Sequence, residues 1–318
     1  MAEKLGIPFI RAFTMPWTRT TKYPHPFGVP ERPLGASYNY MSHIMIEQIF
    51  WKGTSTQVND WRRKTLGLRP INLSSLGETH APFLYCYSPN VVRLFLTQVP
   101  PPSDWPDWIH TCGYWFLDRS EHNWTPAPSL VKFISQGPVI YIGFGSIVVQ
   151  DPQEMTSIIL EAVKQANVRV ILSKGWSGRM KEDNNEKEII YPSNVYALDK
   201  VPHDWLFPQM AGVVHHGGSG TTAAGLRAGC PTLIRPFFGD QYFWADRIQD
   251  LGVGIALKKF TVKQFASSLV ALSNPKIKER AQLLGAKIRS ENGVEKAMQF
   301  IYRDLELAQE RVRRRNVK

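Results

Sequence analysis

A stretch rich in glycine, hydroxyl and imidazole side chains lies in the second half of this 318-residue chain. His215 and His216 close an apolar run, the glycine-rich segment Gly217–Gly220 follows, and Thr221 opens a segment of helical composition. A glycine-rich turn between a strand and a helix directs backbone N–H groups and the positive end of the helix dipole at one point. That arrangement suits a phosphate group. The alternative is that the turn only tightens packing.

A second polar loop follows shortly afterwards. The apolar run Pro231–Ile234 leads into Phe237-Phe238-Gly239, and then into Asp240 and Gln241. In open α/β sheets, ligand contacts come from the segments that follow the carboxyl ends of the strands. A carboxylate and an amide therefore lie where such folds place contacts with a ligand.

The strands that would carry these loops can be traced from hydrophobic spacing. Val139–Phe144 is a continuous apolar run, typical of a parallel strand that is buried on both faces. Val168–Leu172 and Val195–Leu198 predict two more strands, and the glycine-rich stretch with its second loop supplies another two. Helical patterns alternate with these runs. The alternation predicts a doubly wound parallel-sheet domain over residues 137–290.

A dinucleotide-binding Rossmann domain is the competing interpretation of the same alternation. It is disfavoured because the glycine-rich turn lies deep within the domain and not after its first strand. That first strand runs into Gly143–Val148, which lacks the third glycine of the GxGxxG fingerprint.

The first third of the chain is less regular. Prolines within residues 1–35, among them Pro16, Pro24, Pro26, Pro30 and Pro33, argue against regular elements there. Apolar residues at helical spacing predict a helix from Tyr38 to about Leu66, with a break near Gly53.

The remaining segments complete a two-domain plan. Short strands are predicted within Ala81–Val92 and Cys112–Asp118, and an apolar stripe at helical spacing predicts a last helix over Val294–Val312. The polar, proline-containing residues 119–136 are predicted to be an interdomain linker. The predicted plan is therefore an N-terminal domain, the linker, the doubly wound domain, and a C-terminal helix with a basic tail, over residues 1–118, 119–136, 137–290 and 291–318.

Composition narrows the class of protein. A hydrophobic fraction of 43% suits a globular protein, and no apolar run approaches the roughly 18 residues of a membrane span. The three cysteines are scattered without a CxxC pair, so neither zinc nor a disulfide framework is expected and a cytoplasmic setting fits best. The net charge of +11 is diffuse apart from the basic tail, which disfavours nucleic acid as a partner. Peripheral contact with an anionic membrane stays open.

Taken as a whole, the string HHGGSGTT, followed by PFFGDQ, resembles the donor-binding signature of nucleotide-sugar glycosyltransferases with the two-domain GT-B fold. In detail it resembles the sterol 3-beta-glucosyltransferases. Six further segments extend that resemblance over nearly the whole chain: FTMPWTRT (Phe13–Thr20), FWKG (Phe50–Gly53), WRRKTLGL (Trp61–Leu68), GYWFLD (Gly113–Asp118), IGFGSIV (Ile142–Val148) and VPHDWLFP (Val201–Pro208). The resemblance implies a GT-B-like α/β fold, with a donor domain at 137–290 and a partial acceptor domain at 1–118. It also implies that the last helix packs back on the N-terminal domain.

The same resemblance implies inverting transfer of glucose from UDP-glucose to the 3-beta-hydroxyl of a sterol, without a metal or other cofactor. The implied partners are thus a UDP-sugar and a lipophilic hydroxyl acceptor. The implied donor-binding residues are Ser146, Val201, Trp205, His216, Gly218, Ser219, Gly220, Thr221, Asp240 and Gln241. Core packing is the alternative role of Trp205, and His203 and His215 are expected to be structural.

The catalytic base is the point at which the sequence departs from the family. Members of the family begin with a strand leading into a Gly-Ser-Arg-Gly-Asp loop whose Asp is the expected base, and this sequence has no such loop. The catalytic residue is therefore unknown. None of the eight histidines is an obvious substitute, although His25 and His43 lie in the expected domain. Residues 93–98 also resemble an insertion.

Two classes of function consequently stay open. The first is an active sterol glucosyltransferase, or a fragment of one. The second is a catalytically dead protein that still binds a nucleotide sugar. A glycosyltransferase acting on a different lipophilic hydroxyl acceptor is a third alternative, because the irregular N-terminal region would set the acceptor preference.

Overall fold

The computed structural model describes residues 1–77, 81–92, 102–117, 124–145, 147, 151–175 and 190–316. The chain divides into two compact units. Unit 1 comprises residues 1–89, 96–116 and 291–318, and unit 2 comprises residues 90–95 and 117–290. The strands are β1 (Arg11–Phe13), β2 (Phe83–Tyr85), β3 (Ile109–Thr111), β4 (Ile140–Gly143), β5 (Val170–Ser173), β6 (Val195–Leu198), β7 (Gly212–His215), β8 (Thr232–Ile234) and β9 (Gly254–Ala256).

Twelve α-helices accompany these strands in the described part of the chain. They are α1 (Ala2–Leu5), α2 (Ala36–Trp61), α3 (Leu73–Gly77), α4 (Pro89–Val92), α5 (Pro128–Ser135), α6 (Pro152–Ala166), α7 (His203–Leu206), α8 (Ser219–Ala228), α9 (Gln241–Asp250), α10 (Val262–Ala271), α11 (Pro275–Arg289) and α12 (Gly293–Asn316).

Unit 2 contains a six-stranded parallel sheet with the order β6-β5-β4-β7-β8-β9. From β4, the strands β5 and β6 are added on one side of the sheet. The strands β7, β8 and β9 are then added on the other side. The direction of winding therefore reverses between β4 and β7, which are hydrogen-bonded neighbours. In doubly wound sheets this switch point opens a crevice at the carboxyl ends of the two strands.

Both faces of this sheet are covered, as the continuous apolar runs predicted. Along β4 and the residue before it, Ile140 and Ile142 belong to one buried cluster, whereas Val139 and Tyr141 belong to another. Successive side chains of a strand point to opposite faces, so the two clusters lie on opposite sides of the sheet. The doubly wound arrangement of this region is thus present in unit 2.

The predicted linker is only partly irregular. Residues 118–123 lie outside the described residues, but Pro128–Ser135 form the helix α5. Leu130 and Phe133 of this helix are buried in a core cluster of unit 2. Pro128 occupies the first turn of this helix, where proline is tolerated, and the bounds of the interdomain linker stay a prediction.

Unit 1 contains a three-stranded parallel sheet with the order β1-β2-β3. The expectation that residues 1–35 lack regular elements was wrong, since α1 and β1 lie there and β1 pairs with β2. The predicted break near Gly53 was also wrong, because α2 continues through that residue to Trp61. A π-helical turn over Arg62–Leu66 then ends the helix.

The last helix, α12, lies in the same unit as the N-terminal strands. Ala297 shares a small buried cluster with Leu84 of β2 and Cys112. Nε2 of His110 lies 2.7 Å from Oδ2 of Asp304, and both side chains are buried. Helix α12 is therefore attached to the sheet of unit 1 by apolar packing and by one buried polar pair.

Candidate functional site

The glycine-rich loop and the second polar loop lie at the same edge of the unit 2 sheet. Strands β4, β7 and β8 are parallel neighbours, so their carboxyl ends meet at this edge. Gly145 follows β4, His216–Gly218 follow β7, and Arg235–Asp240 follow β8. We call this edge the donor edge.

The turn after β7 is possible only with glycine at its centre. Gly217 has a φ of 94°, in the left-handed region. A methyl group added there would lie 2.7 Å from Cγ2 of Ile234 and 3.2 Å from the carbonyl oxygen of Gln241. The N–H of Gly217 donates to Nδ1 of His215 at 3.0 Å. The turn is thus closed by a buried imidazole and packs directly against the start of α9.

Helix α8 begins at this turn without a side-chain cap. Gly218 is its N-cap residue and offers no capping side chain, while Thr222 bonds to the carbonyl oxygen of Gly218. A methyl group added at Gly220 would meet no atom of the described residues within 4 Å. In the described structure, the first turn of α8 is therefore open beside Gly220, at the positive end of the helix dipole. This geometry suits an anion.

His216 stands at the crevice between β4 and β7. A methyl group added at Gly145 would lie 3.4 Å from Cε1 of His216, so the imidazole adjoins the loop that follows β4. Its Nδ1 is buried without a hydrogen-bond partner among the described residues. Burial lowers the pKa of His216, which favours the neutral imidazole. Ser146, predicted to face it, lies outside the described residues.

Asp240 and Gln241 are placed at the donor edge but are already engaged. Oε1 of Gln241 accepts from the N–H of Phe237 at 2.7 Å and from that of Phe238 at 3.2 Å. Oδ2 of Asp240 accepts from Nε1 of Trp244 at 2.8 Å, and burial raises the pKa of this carboxyl group. The resemblance implied that both residues bind the sugar of the donor. It did not indicate that they also stabilise the conformation of their own loop.

Val201 and Trp205 lie beyond the edge strand β6, on the segment that carries α7. Helix α7 packs against α8, so this segment lies beside the helix that follows the glycine-rich loop. The ring of Trp205 is half-buried and packs edge-to-face on Trp124 at 5.0 Å. The packing role foreseen for Trp205 is thus present, and a contact with a nucleobase stays a prediction.

The two histidines expected to be structural are packed in the interior. His215 is fully buried, and burial holds its pKa well below the usual value. His203 stacks on Phe207 at 4.3 Å, and its Nε2 lies 3.3 Å from the hydroxyl of Tyr141. Burial lowers its pKa as well. His215 thus holds the glycine turn through its Nδ1, whereas the half-buried His203 packs on Tyr141 and Phe207.

Arg235 was not singled out from the sequence. It follows β8 directly, and its guanidinium lies 4.4 Å from the ring centre of Phe237. The sequence did contain a signal for Arg235: a cationic residue directly after a buried strand, five residues before Asp240, lies where a ligand contact is expected.

Comparison with known proteins identifies relatives along the whole chain. The family described as erythromycin biosynthesis protein CIII-like, C-terminal domain, matches residues 159–299. The sterol 3-beta-glucosyltransferase of Yarrowia lipolytica is 51% identical over 322 residues, covering 99% of this chain and 22% of the relative. That of Aspergillus fumigatus is 49% identical over 324 residues, covering 100% of this chain and 22% of the relative. The predicted resemblance is confirmed, and the chain spans about a fifth of the length of these relatives.

Solved structures agree on the fold. The glycotransferase of kitacinnamycin matches with a TM-score of 0.65 at 19% identity, covering 96% of this chain and 72% of that protein. The calicheamicin glycosyltransferase matches with a TM-score of 0.60 at 15% identity, covering 95% of this chain and 71% of that protein. The predicted GT-B-like α/β fold is confirmed. In the described part of the chain, no helix combines the length and apolar character needed to cross a membrane.

Proposed function

Because this chain is a relative of the sterol 3-beta-glucosyltransferases along its whole length, we propose that it takes part in glucose transfer from UDP-glucose to the 3-beta-hydroxyl of a sterol. The observation that carries the proposal is the uncapped N-terminus of α8 beside the neutral imidazole of His216, at the switch point of the unit 2 sheet. That position is where doubly wound sheets bind ligands.

In this proposal the diphosphate of the donor lies at the first turn of α8. The backbone N–H groups of Gly218–Thr221 and the hydroxyl groups of Ser219 and Thr221 donate to its oxygens, together with Ser146 and an N–H of His216. As the acceptor oxygen attacks the anomeric carbon, its hydroxyl proton passes to a general base that is not yet identified, the bond from that carbon to the diphosphate breaks, and the electron pair of that bond passes to the leaving group. The helix dipole and these donors stabilise the added charge without a metal ion.

The remaining donor contacts are assigned by position. Asp240 and Gln241 bind the glucose hydroxyls, and their loop is held in place by Trp244 and by the N–H groups of Phe237 and Phe238. The segment with Val201 and Trp205 binds the uracil and the ribose. The preorganised loop matters because a hydrogen bond discriminates between sugars only if its donor is already oriented.

A second candidate is binding of the nucleotide sugar without transfer. A specific observation favours it: His25 and His43, the two histidines that the sequence placed in the expected domain, are both fully buried in unit 1. Burial lowers the pKa of His25 to about 3. Neither imidazole is exposed to take the proton of an acceptor hydroxyl, so neither is the base of the transfer.

Incubation of the purified chain with UDP-glucose and ergosterol distinguishes these two functions. Transfer predicts a steryl glucoside and released UDP, whereas binding alone predicts measurable UDP affinity without product. A chain that neither binds UDP nor forms product would contradict both. Competing ergosterol with a triterpenoid and a polyketide acceptor in the same assay tests the acceptor class.

Peripheral membrane contact is a further part of the proposal, supported by the net charge of +11 and by the lipophilic acceptor. Co-sedimentation with vesicles that contain phosphatidylserine measures it. Binding that is lost in vesicles of phosphatidylcholine alone would support an electrostatic contact, and no binding to either would refute it.

A further inference from the structure

Arg235 occupies a fixed position at the donor edge. It follows the last residue of β8, and its backbone N–H donates to the carbonyl oxygen of His215 at 3.0 Å. His215 is the last residue of β7 and closes the glycine turn. The backbone of Arg235 is therefore tied directly to the strand that leads into the proposed diphosphate site.

The side chain is held by aromatic rings. The guanidinium lies 4.4 Å from the ring centre of Phe237 and 5.7 Å from that of Phe260. The ring of Phe144, which follows β4, contacts both of these rings at 5.8 Å and 6.3 Å. The cation thus lies near the carboxyl end of β4, where Phe144 precedes Gly145. Stacking on aromatic faces stabilises a guanidinium while leaving its N–H groups available.

No carboxylate of the described residues pairs with this cation. Within the described structure its guanidinium donates to the carbonyl oxygen of Pro236, and its Nε is buried without a partner. Burial lowers the pKa of Arg235, although an arginine stays charged in proteins. By contrast, Arg62 forms a bidentate pair with Glu3.

A half-buried cation without a counter-charge is unfavourable, and an anion at the same edge relieves that cost. The first turn of α8 already makes this edge favourable for an anion. The two features are independent of each other, since one is a backbone arrangement after β7 and the other a side chain after β8. Both point to a group carrying negative charge on more than one oxygen.

We propose that the guanidinium of Arg235 binds the diphosphate of the donor from the β8 side and thereby complements the N–H groups of α8. This inference rests on the proposed function, in which the donor is a nucleoside diphosphate sugar. When the bond to the anomeric carbon breaks, the electron pair stays on the diphosphate, and the cation stabilises that added charge. Arg235 would then contribute more to the affinity for UDP than to the affinity for uridine.

Arg169 provides a matched control within the same unit. Its guanidinium also lies over an aromatic ring, 4.2 Å from the centre of Phe133. It precedes β5, at the opposite edge of the sheet, and its N–H groups donate to the carbonyl oxygens of Gly137 and Phe133. Arg169→Met therefore removes the same charge and the same kind of ring contact away from the donor edge.

The test compares UDP and uridine binding, by calorimetry and NMR titration, in the full chain and in Arg235→Met, Arg235→Lys and Arg169→Met. Loss of a charge-assisted contact should weaken UDP binding in Arg235→Met by about tenfold to a hundredfold. Uridine binding should be unchanged, and the salt dependence of UDP binding should decrease. Arg235→Lys should retain most of the UDP affinity, and Arg169→Met all of it.

Two results would overturn this inference and leave the proposed function standing. The first is a UDP affinity of Arg235→Met within twofold of wild type. The second is an equal loss of affinity for UDP and uridine, which would indicate a structural role. Should Arg235→Met fail to fold, Arg235→Gln decides the question, because a phosphate contact predicts a loss of affinity for UDP alone and a purely structural role predicts an equal loss for UDP and uridine. If the wild-type chain does not bind UDP, the proposed function fails and this inference fails with it.

Discussion

The two units contain the same kind of parallel α/β layer but bury it to different degrees. The six-stranded sheet of unit 2 is covered on both faces by large buried clusters. Unit 1 has a small cluster built on Leu84, Cys112 and Ala297, and beside it the fully buried Tyr85, whose ring stacks on Trp105. The units therefore differ less in having a core than in what surrounds it, because unit 1 also leaves large apolar side chains of α2 exposed.

Several of the exposed apolar side chains of unit 1 lie on α2. Met41, Met45 and Ile49 follow one another at intervals of four residues and are 56%, 46% and 58% exposed. Residues four apart lie on the same side of a helix, so the three form one apolar stripe. Contiguous exposed apolar surface of this kind is uncommon on soluble monomers. We therefore expect the loss of an apolar side chain from this stripe to cost far less stability than a loss from the core of unit 2.

The largest expected difference is between two isoleucines. Ile171 is fully buried in unit 2, whereas Ile49 is 58% exposed in unit 1. Ile171→Ala should lower the free energy of unfolding by about 2–5 kcal/mol, because it removes buried methyl groups and leaves a cavity. Ile49→Ala should change it by about 0.5 kcal/mol or less. Urea unfolding followed by circular dichroism measures both, and equal losses would contradict the comparison.

A second pair separates stability from binding within the donor edge. Gly217→Ala should destabilise unit 2 by about 1–3 kcal/mol, because the left-handed backbone and the contact with Ile234 oppose a methyl group. Gly220→Ala should leave thermal stability nearly unchanged but weaken UDP binding, since its methyl group would project into the open space before α8. Equal melting temperatures for the two variants would show that the turn is not strained.

The last comparison concerns pH and unit 1. Burial, followed by the nearby charge of His43, lowers the pKa of His25 from 6.5 to about 3. The unfolded chain therefore binds a proton on His25 below pH 6.5 that the folded chain does not bind. The contribution of His25 is fully present above pH 6.5 and is lost as the pH falls from there toward 3.

Replacement by a side chain that does not titrate should remove this part of the acid sensitivity. His25→Gln should show a smaller loss of unfolding free energy between pH 6.5 and pH 4 than the wild-type chain. Chemical unfolding at several pH values measures the slope. The same slope in both proteins would mean that His25 does not titrate as its burial requires.

The sequence was informative where one physical signal dominates. The strands of unit 2 were predictable because a strand buried on both faces needs an uninterrupted apolar run, as in Ile140–Gly143. The helix over Pro128–Ser135 was missed because proline was given more weight than the spacing of Leu130 and Phe133. Strand β1 was missed because three residues carry too little pattern, and it is defined by its pairing with β2.

The donor edge shows the same limit at the level of side chains. The turn at Gly217 was predictable because the backbone conformation requires glycine. The second role of Gln241, as acceptor for two N–H groups of its own loop, depends on how the loop folds back. The importance of Arg235 depends on rings that come together only in three dimensions, from β4, β8 and the segment before α10. Spacing along the chain does not encode those contacts.

The central claim is that the nucleotide sugar binds at the donor edge of unit 2, and His216→Ala tests it most directly. The imidazole is half-buried and its Nδ1 has no partner within the described structure, so its loss should not disturb the fold. Calorimetric titration with UDP should show affinity reduced about tenfold, the effect of one lost hydrogen bond to a charged group, with an unchanged melting temperature. Unchanged UDP affinity in His216→Ala would contradict the claim.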